Sequence, residues 1–276
     1  NKSSLDIQKL YPQSSINFKD SGGSSNLFID HKGNVGIGTS EPVSKLDLNG
    51  DIRLGNKDIL MENDIKSISC GEEHTAILKK DGTVLTFGNQ EDGQLGRNIN
   101  GNNNYVPMEI SENISGIIAV SCGYFHTVIL KNDGTVLTFG QTQYEVTGLF
   151  GFDNDTGSSP TPIPNLTNCI AVSCSQYHTA ILKNDGTVFT FGFNSGQLGR
   201  NDGNYGIPME ISGNHTDIIA VSCGDNHTAI LKSNGTVLTF GSKYGGRLGR
   251  DVIDHNNKIP MEISGNHTDI IAVSCG

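Results

Sequence analysis

The sequence predicts an all-β fold, a β-propeller whose blades each contain about fifty residues. The main observation is a twenty-residue stretch, SCGYFHTVILKNDGTVLTFG at Ser121–Gly140, which recurs at 69–88, 173–192 and 222–241 and begins again at Ser274. A second observation is the spacing of the cysteines in these copies, with steps of 52, 52, 49 and 52 residues. Regular spacing of this size indicates a repeat architecture of four complete units and the start of a fifth.

The sequence pattern of each repeat predicts four short strands. In the second unit an apolar strand, Ile117–Cys122, leads through glycine to a His-Thr pair, and Thr127–Lys131 follows with alternating polarity. The tripeptide Asn132–Gly134 is a tight-turn signal, so Thr135–Phe139 is predicted to return as the hairpin partner. A segment equivalent to Pro107–Ile110 closes each unit as a last short strand. Four short strands cannot bury both faces of a sheet alone, and radial stacking of the units solves this problem.

The segments before the repeats predict a different kind of structure. Residues 1–25 are polar and give no defined element, residues 26–58 carry two hairpin signals, and residues 59–276 hold the repeats. The first hairpin is predicted around Lys32–Asn34 and the second around Asn49–Asp51, because apolar residues alternate on both sides of each turn. The chain begins at Asn1 and stops inside a recurring strand, so we expect it to be part of a longer polypeptide.

Composition limits the function classes. The net charge is −10, with 19 basic and 29 acidic residues, and no basic stripe is present. Nucleic-acid binding needs clustered Lys and Arg, so no nucleic-acid partner is expected. No apolar run approaches the ~18 residues that cross a bilayer, so no membrane insertion is expected. Three arginines recur once per repeat, and we interpret them as solvated loop residues: Arg97, Arg200 and Arg250.

The recurring cysteines, histidines and phenylalanines are interpreted as structural repeat positions. Equivalent positions in successive blades form a widely spaced ring, whereas a metal site needs its ligands within ~2–2.5 Å of one ion. The cysteines are expected to be small buried thiols, the imidazoles to tie one strand to a neighbouring loop, and the phenylalanines to lie between blades. The positions are Cys70, His74, Phe87, Cys122, His126, Phe139, Cys174, His178, Phe191, Cys223, His227 and Phe240.

No catalytic site, cofactor site or metal site is predicted, and the chain is not expected to be an enzyme. The turn aspartate Asp133 is replaced by Asn234 in the fourth unit, which keeps the turn and loses the carboxylate. That replacement favours a geometric role over acid–base chemistry. No nucleophile, metalloprotease or phosphate-loop motif is present.

The repeat resembles the regulator of chromosome condensation repeats. The shared features are Gly followed by His-Thr, the ILKNDGTV hairpin, a hydrophobic-Gly pair and the GQLGR motif at Gly93–Arg97. The resemblance implies a propeller that usually has seven blades, and a function as an interaction scaffold or as a nucleotide exchange factor, as for the founding member on the small GTPase Ran. Two departures are phenylalanine where the family usually has tryptophan, and Gly148–Gly151 in place of GQLGR.

A second resemblance lies before the repeats. The segments Gly33–Thr39 and Lys45–Gly50, with Pro42 between them, are similar to a motif of trimeric phage tail fibres and large-virus capsid fibres. This resemblance implies a homotrimer formed through the N-terminal segment. The alternative is a β-rich linker that caps the repeats.

Two functions follow as hypotheses. The first is a virion structural protein, on the virion surface and assembled in the host cytoplasm, whose propeller contacts capsid or fibre proteins or a host receptor. The second is a cytoplasmic interaction scaffold or guanine-nucleotide exchange factor. In either case the loops that differ between repeats are the predicted contact surface. The loop residues singled out are Asn102, Tyr105, Tyr144, Phe150, Tyr205 and Tyr244.

Overall fold

The computed structural model describes residues 64–97, 104–110, 114–140, 157–201, 206–252 and 256–276, and the backbone of six short strands before them. The chain divides into two compact units, residues 1–64 and residues 65–276, which are taken separately. The described part contains no helix that is long and apolar enough to cross a membrane.

The first unit contains a four-stranded sheet and a separate two-stranded ribbon. The sheet has the order β1-β2-β3-β4, and the ribbon is formed by β5 and β6. The polar N-terminal stretch, in which the sequence pattern assigned no element, contains β1. The strands are β1 (Ile16–Lys19), β2 (Ser25–Ile29), β3 (Val35–Ile37), β4 (Leu46–Leu48), β5 (Arg53–Leu54) and β6 (Lys57–Asp58).

The two hairpin predictions have different outcomes. Strands β2 and β3 pair antiparallel, so the first predicted hairpin is confirmed. The second is wrong, because β4 pairs in parallel with β3 and β5 pairs with β6 instead. Only two residues, Gly55 and Asn56, separate β5 from β6. Such a short connection fits a tight hairpin better than the four residues between β4 and β5.

The second unit consists of four sheets of four antiparallel strands, one for each complete repeat. This confirms the predicted all-β propeller architecture. Blade 1 is β7 (Ile65–Cys70), β8 (His74–Lys79), β9 (Val84–Gly88) and β10 (Met108–Glu109), and blade 2 is β11 (Ile117–Cys122), β12 (His126–Lys131), β13 (Val136–Gly140) and β14 (Thr161–Pro162). Blade 3 is β15 (Cys169–Cys174), β16 (His178–Lys183), β17 (Val188–Gly192) and β18 (Met209–Glu210), and blade 4 is β19 (Ile218–Gly224), β20 (His227–Lys232), β21 (Val237–Gly241) and β22 (Met261–Glu262).

The hairpin turn in the middle of each blade explains why the sequence is so constant there. The carboxylate oxygen of Asp133 accepts a hydrogen bond from the backbone N–H of Thr135 at 2.9 Å, and Asn234 accepts the equivalent bond at 3.0 Å. Gly134 adopts φ +80°, which favours glycine. The predicted geometric role of these turn residues is confirmed, because an amide oxygen does the same work as a carboxylate.

The hydrophobic core lies between blades rather than within them. One cluster joins Leu78 and Val84 of blade 1 to Ile129, Leu137 and Phe139 of blade 2. Equivalent clusters join the later blades. The first strands of successive blades, β7, β11, β15 and β19, lie side by side and are therefore the inner strands of the propeller. A blade is consequently stable only with its neighbour.

Candidate interaction surface

Hydrogen bonds between buried side chains connect each blade to the next. His74 Nε2 lies 2.7 Å from Thr127 Oγ1, and the pair His178 and Thr228 repeats this contact at 2.8 Å. His126 makes the same contact with Thr179 at 3.1 Å. The predicted imidazole tie is present, but its partner is a strand threonine of the next blade and not a neighbouring loop.

The threonine hydroxyls determine how the histidine protons are placed. The hydroxyl of Thr127 donates to the backbone carbonyl of Gln94 at 3.0 Å, and Thr228 donates to Gln197 at 2.8 Å. Since a carbonyl can only accept, the hydroxyl proton is already used, and the imidazole Nε2–H must donate to the hydroxyl oxygen. Burial lowers the pKa of His126 to about 4, so the ring is neutral at pH 7.

A second ladder of bonds follows the inner strands. The backbone N–H of Cys122 donates to Ser69 Oγ of the preceding blade at 2.9 Å, and its thiol lies 3.4 Å from the Ser69 carbonyl oxygen. Cys174, Cys223 and Cys275 bind the preceding serine in the same way through their N–H groups. All six cysteines are free. Burial raises the pKa of Cys122 to about 12, so its thiol is unreactive.

Cys70 and Phe87 differ from their equivalents. Cys70 is exposed, which corrects the expectation that every repeat cysteine is buried. Phe87 is half-buried, whereas Phe139, Phe191 and Phe240 are completely buried. Both residues belong to blade 1, which no other blade precedes in the described part of the chain, so their packing partners are missing.

The GQLGR motif forms the packing partner of the next blade's phenylalanine. A Cβ atom built on Gly96 would lie 2.7 Å from the Phe139 ring, and one on Gly199 would lie 2.8 Å from the Phe240 ring. The two glycines have φ +65° and +67°. Glycine is required at this position because the ring of the next blade occupies the space of a side chain.

The recurring arginines correct the prediction of solvated loop residues. Arg200 is 2% exposed, and its guanidinium donates to the backbone carbonyl of Thr190 at 3.1 Å and to that of Ile207 at 3.4 Å. Arg97 is also buried and Arg250 is half-buried, and both donate to the equivalent strand carbonyl at 3.1 Å. The arginine therefore fastens the loop to the third strand of its own blade.

The variant Arg200→Lys should lower the free energy of unfolding by about 1.5–3 kcal/mol, because lysine cannot reach both carbonyls and leaves a buried acceptor unsatisfied. The control Arg247→Lys removes an exposed guanidinium and should change stability by less than about 0.5 kcal/mol. Urea unfolding followed by circular dichroism measures both. Equal losses in the two variants would contradict the structural role of Arg200.

No group of three or more His, Cys, Asp and Glu side chains in the described residues could hold a metal ion. His74, His126 and His178 are occupied in the contacts between blades, and the thiols of the repeat cysteines follow the inner strands at separate positions. These repeated residues therefore form a rigid framework, and the side chains that differ between repeats lie at other positions.

The side chains that differ most between repeats lie in the short loops that follow the inner strands. These loops, here called the rim, hold the two residues between the glycine or serine and the histidine of each repeat: Glu72-Glu73, Tyr124-Phe125, Gln176-Tyr177 and Asp225-Asn226. They surround a cavity of about 300 Å³ whose walls are the ends of the inner strands. All eight side chains are exposed or half-exposed.

The rim carries an aromatic cluster on blades 2 and 3. The rings of Tyr124 and Tyr177 have centroids 6.3 Å apart and planes within 6° of parallel. Phe125 lies against Tyr124 at 4.1 Å, and Phe193 meets Tyr177 edge-on at 6.2 Å. Phe193 is 40% exposed. Partly exposed, mutually packed rings of this kind are typical of protein-binding surfaces.

Blade 1 contributes negative charge to the same rim. The carboxylate of Glu72 and, less strongly, that of Glu73 raise the pKa of Tyr124. Burial raises the pKa of Asp92, and the charges of Glu91 and Glu73 add to this effect. The carboxylates are thus close enough to repel one another and to act on the neighbouring aromatic cluster.

The predicted contact loops are only partly within the described residues. Tyr105 is 71% exposed and Tyr244 is 77% exposed. Asn102, Tyr144, Phe150 and Tyr205 lie outside the described residues. The rim itself was missed, although the sequence contained its signal: only two positions of the twenty-residue motif differ in all four copies, and they are the two rim positions.

Comparison with known proteins agrees with this architecture. A family model described as the regulator of chromosome condensation (RCC1) repeat matches residues 81–130, 133–182, 185–231 and 234–276, which is more than half of the chain. The chain belongs to this repeat family. A second RCC1 repeat model matches 65–94, 117–144, 169–197 and 218–246.

Several curated proteins are similar in sequence to this chain. The X-linked retinitis pigmentosa GTPase regulator homolog of Caenorhabditis elegans is 33% identical over 49% of this chain and 10% of its own length. The probable E3 ubiquitin-protein ligase HERC6 of Homo sapiens is 33% identical over 64% of this chain and 18% of its own. RUG3 of Arabidopsis thaliana, a mitochondrial RCC1 domain-containing protein, is 28% identical over 74% and 48%. The chain spans less than half of each of these relatives.

Solved structures with the same fold include yeast RCC1 (Prp20) bound to Kap60. That structure has a TM-score of 0.67 and 19% identity, over 79% of this chain and 53% of the Prp20 chain. Human WBSCR16 has a TM-score of 0.60 and 24% identity, over 72% and 52%. These likenesses agree on an RCC1-type propeller for the repeats.

Proposed function

We propose that this RCC1-repeat chain is a protein-interaction module that binds a partner protein through the rim. The observation that carries the proposal is the contrast within one motif. The residues that join the blades repeat with little change, whereas the two rim positions differ in every copy and reach solvent. Loops that a rigid scaffold holds in place, and whose exposed residues differ between copies, are typical of binding surfaces.

The physical reason for rigidity is the set of contacts between blades. The base of the rim on blades 2 and 3 is held by the buried contact between His126 and Thr179 and by the partly buried hydrogen bond that Ser121 accepts from the Cys174 N–H. The tips therefore keep fixed relative positions, and a partner loses little affinity to the ordering of loops on binding. No catalytic step is part of this proposal.

Photo-crosslinking tests the binding surface directly. A photoreactive amino acid placed at Gln176, on the rim, should give discrete adducts with a partner protein in an extract of the source cells. The same amino acid at Glu109, an exposed residue on the outer strand β10, should give none of those adducts. If the rim position gives no adduct beyond those of the outer position, the rim is not the binding surface.

A small GTPase is a second candidate partner. One relative is named as a GTPase regulator homolog, and the structure of yeast Prp20p was described together with its binding to Gsp1p and histones. A nucleotide-release assay on a panel of small GTPases tests this function. Acceleration that Tyr124→Ala abolishes would assign exchange activity to the rim, and no acceleration on any member would exclude it for that panel.

The virion interpretation stays a prediction. The side chains that carry the fibre resemblance, at Gly33–Thr39 and Lys45–Gly50, lie outside the described part of the structure. The relatives support an interaction scaffold better than a capsid or fibre protein. Mass spectrometry of purified particles decides the matter, because a virion protein must be present in them. Trimer formation and location in the cell remain predictions as well.

A further inference from the structure

The most informative part of the rim is the junction between blade 1 and blade 2. Here Glu72 and Tyr124 line the same cavity, and the charges of Glu72 and Glu73 raise the pKa of the Tyr124 hydroxyl. Tyr177 continues the aromatic surface onto blade 3. The rings are packed against one another and remain accessible from solvent. The junction thus combines π-faces with negative charge above the cavity of the inner strands.

The negative charge at this junction is not balanced by the ion pairs that the structure describes, since none of them uses Glu72, Glu73, Glu91 or Asp92. Glu73 Oε2 accepts a hydrogen bond from the side-chain amide of Asn89 at 2.6 Å, and because this amide is neutral the negative charge remains. The described ion pairs lie elsewhere. Lys79 pairs with Asp81 in the hairpin turn of blade 1, and Lys232 pairs with Asp217, which precedes β19. Residues 141–156, which stand between β13 and β14 of blade 2 in the sequence, include no lysine or arginine.

A positive charge lies near the rim on blade 4. Arg247 is exposed and lowers the pKa of His227 after the larger effect of burial, while the rim residue Asp225 raises it. The guanidinium of Arg247 donates to the backbone carbonyl of Tyr244 at 2.8 Å. The rim is therefore uneven in charge, with two carboxylates on blade 1, aromatic rings on blades 2 and 3, and the carboxylate of Asp225 with Arg247 near it on blade 4.

We propose that the junction binds a partner segment through an arginine or lysine side chain, which lies over Tyr124 and pairs with Glu72 or Glu73. This inference rests on the proposed function and specifies the chemistry of the partner. An aromatic face attracts a cation, and arginine also stacks its planar guanidinium on the ring. The adjacent carboxylates add attraction that a single exposed ion pair would not supply.

The chemistry also explains the choice of cation over an apolar side chain. An apolar side chain would desolvate the carboxylates of Glu72 and Glu73 without compensation, which costs free energy. A cation replaces their lost hydration and relieves the repulsion that reaches Asp92. The net charge of −10 favours approach of a basic segment to the whole chain, and the junction supplies the specific contact.

A peptide titration tests the inference. The probe is a fluorescent eight-residue peptide of alternating glycine and arginine, and the matched control peptide has neutral citrulline in place of arginine. Fluorescence anisotropy at low ionic strength should show the arginine peptide binding at least about tenfold more tightly. Added salt should weaken this binding, since the carboxylates are exposed.

Variants locate the binding on the protein. Tyr124→Ala should weaken the arginine peptide about fivefold, whereas Tyr124→Phe keeps the ring and should retain binding within about twofold. The double variant Glu72→Gln/Glu73→Gln should weaken binding by a similar factor. The double variant Glu109→Gln/Glu262→Gln changes the net charge equally at exposed outer strands and should have an effect of less than about twofold.

Three results would overturn the inference. They are equal binding of the citrulline peptide, equal weakening by the outer-strand double variant, and unchanged binding by Tyr124→Ala in a variant with native circular dichroism. If rim crosslinks persist while the peptide shows any of these results, the inference fails and the proposed function stands. If the crosslinks are also absent, both fail.

Discussion

Replacing Phe139 by alanine should lower the free energy of unfolding by about 3–5 kcal/mol, the range for a large aromatic side chain removed from a core. Phe139 is completely buried and lies on Gly96 of the preceding blade. Removal of the ring leaves a cavity next to Gly96, which has no side chain to fill it. The packing contact between blade 1 and blade 2 is lost as well. Urea unfolding followed by circular dichroism measures the loss.

Phe87 provides the matched control for this prediction. It occupies the same position in blade 1 but is half-buried, because no preceding GQLGR loop covers it in the described residues. Phe87→Ala should therefore cost about 1–2 kcal/mol, clearly less than Phe139→Ala. A loss below about 1 kcal/mol for Phe139→Ala would show that the recurring ring is not a core residue.

Mild acid should destabilise the protein strongly, because the histidines that join the blades must stay neutral. Burial lowers the pKa of His74 to about 4, that of His126 to about 4 and that of His178 to about 3, and neighbouring histidines lower the last two further. The unfolded chain takes up these protons at about pH 6.5. Stability is therefore complete above pH 6.5 and is lost as the pH falls towards the folded-state values.

The expected loss is about 2 kcal/mol for each of these histidines between pH 6.5 and pH 5. Three such losses are comparable with the whole stability of an ordinary domain. Hydrogen bonds from Thr83 lower the pKa of Asp81 to about 2. Protonation of this carboxylate therefore affects stability only in stronger acid, below the pH range of the measurement. The observable is the urea midpoint as a function of pH.

Two variants assign the pH effect. His126→Gln removes one titrating group, so the loss of stability between pH 7.5 and pH 5 should shrink by about 2 kcal/mol relative to the parent. His267 is exposed, so His267→Gln is the control for a histidine-to-glutamine substitution that breaks none of the described hydrogen bonds between blades. An identical pH dependence in the His126→Gln variant would refute the explanation.

The sequence was sufficient to predict the fold of the repeats because each element has a local signal. The strand periodicity, the turn glycine and the change from Asp133 to Asn234 together define one hairpin in every blade. The role of Arg200 could not be predicted in this way. An arginine in a glycine-rich loop is indistinguishable from a solvated one until the strand carbonyls around it have been placed.

One identical sequence shows how much depends on neighbours. Pro208–Gly224 and Pro260–Gly276 have the same seventeen residues. Residues 218–224 form strand β19 against β20, whereas residues 270–276 form no strand, against the expectation that the last copy would be one. The second copy still makes the inner-strand bond from the Cys275 N–H to Ser222 Oγ. The contact to the previous blade therefore needs no strand ladder.

The candidate site divides in the same manner. The rim positions could have been found by comparing the copies, since only these two positions vary in all four. The stacking of Tyr124 on Tyr177 could not be predicted from the sequence. The two residues are separated by a full repeat and meet only through the radial arrangement of blades 2 and 3. Contacts between blades determine which variable residues become neighbours.

The joint between blades has a consequence for how such a chain changes length. Every unit with a GQLGR loop carries the histidine and Gly96-type glycine for the following unit and the threonine and phenylalanine for the preceding one. A tandem copy inserted in register therefore arrives with both halves of the joint, and no compensating substitution is needed at either seam. Whole blades can be gained by gene duplication while their rim residues diverge freely, so new specificities can arise without changes to the contacts between blades.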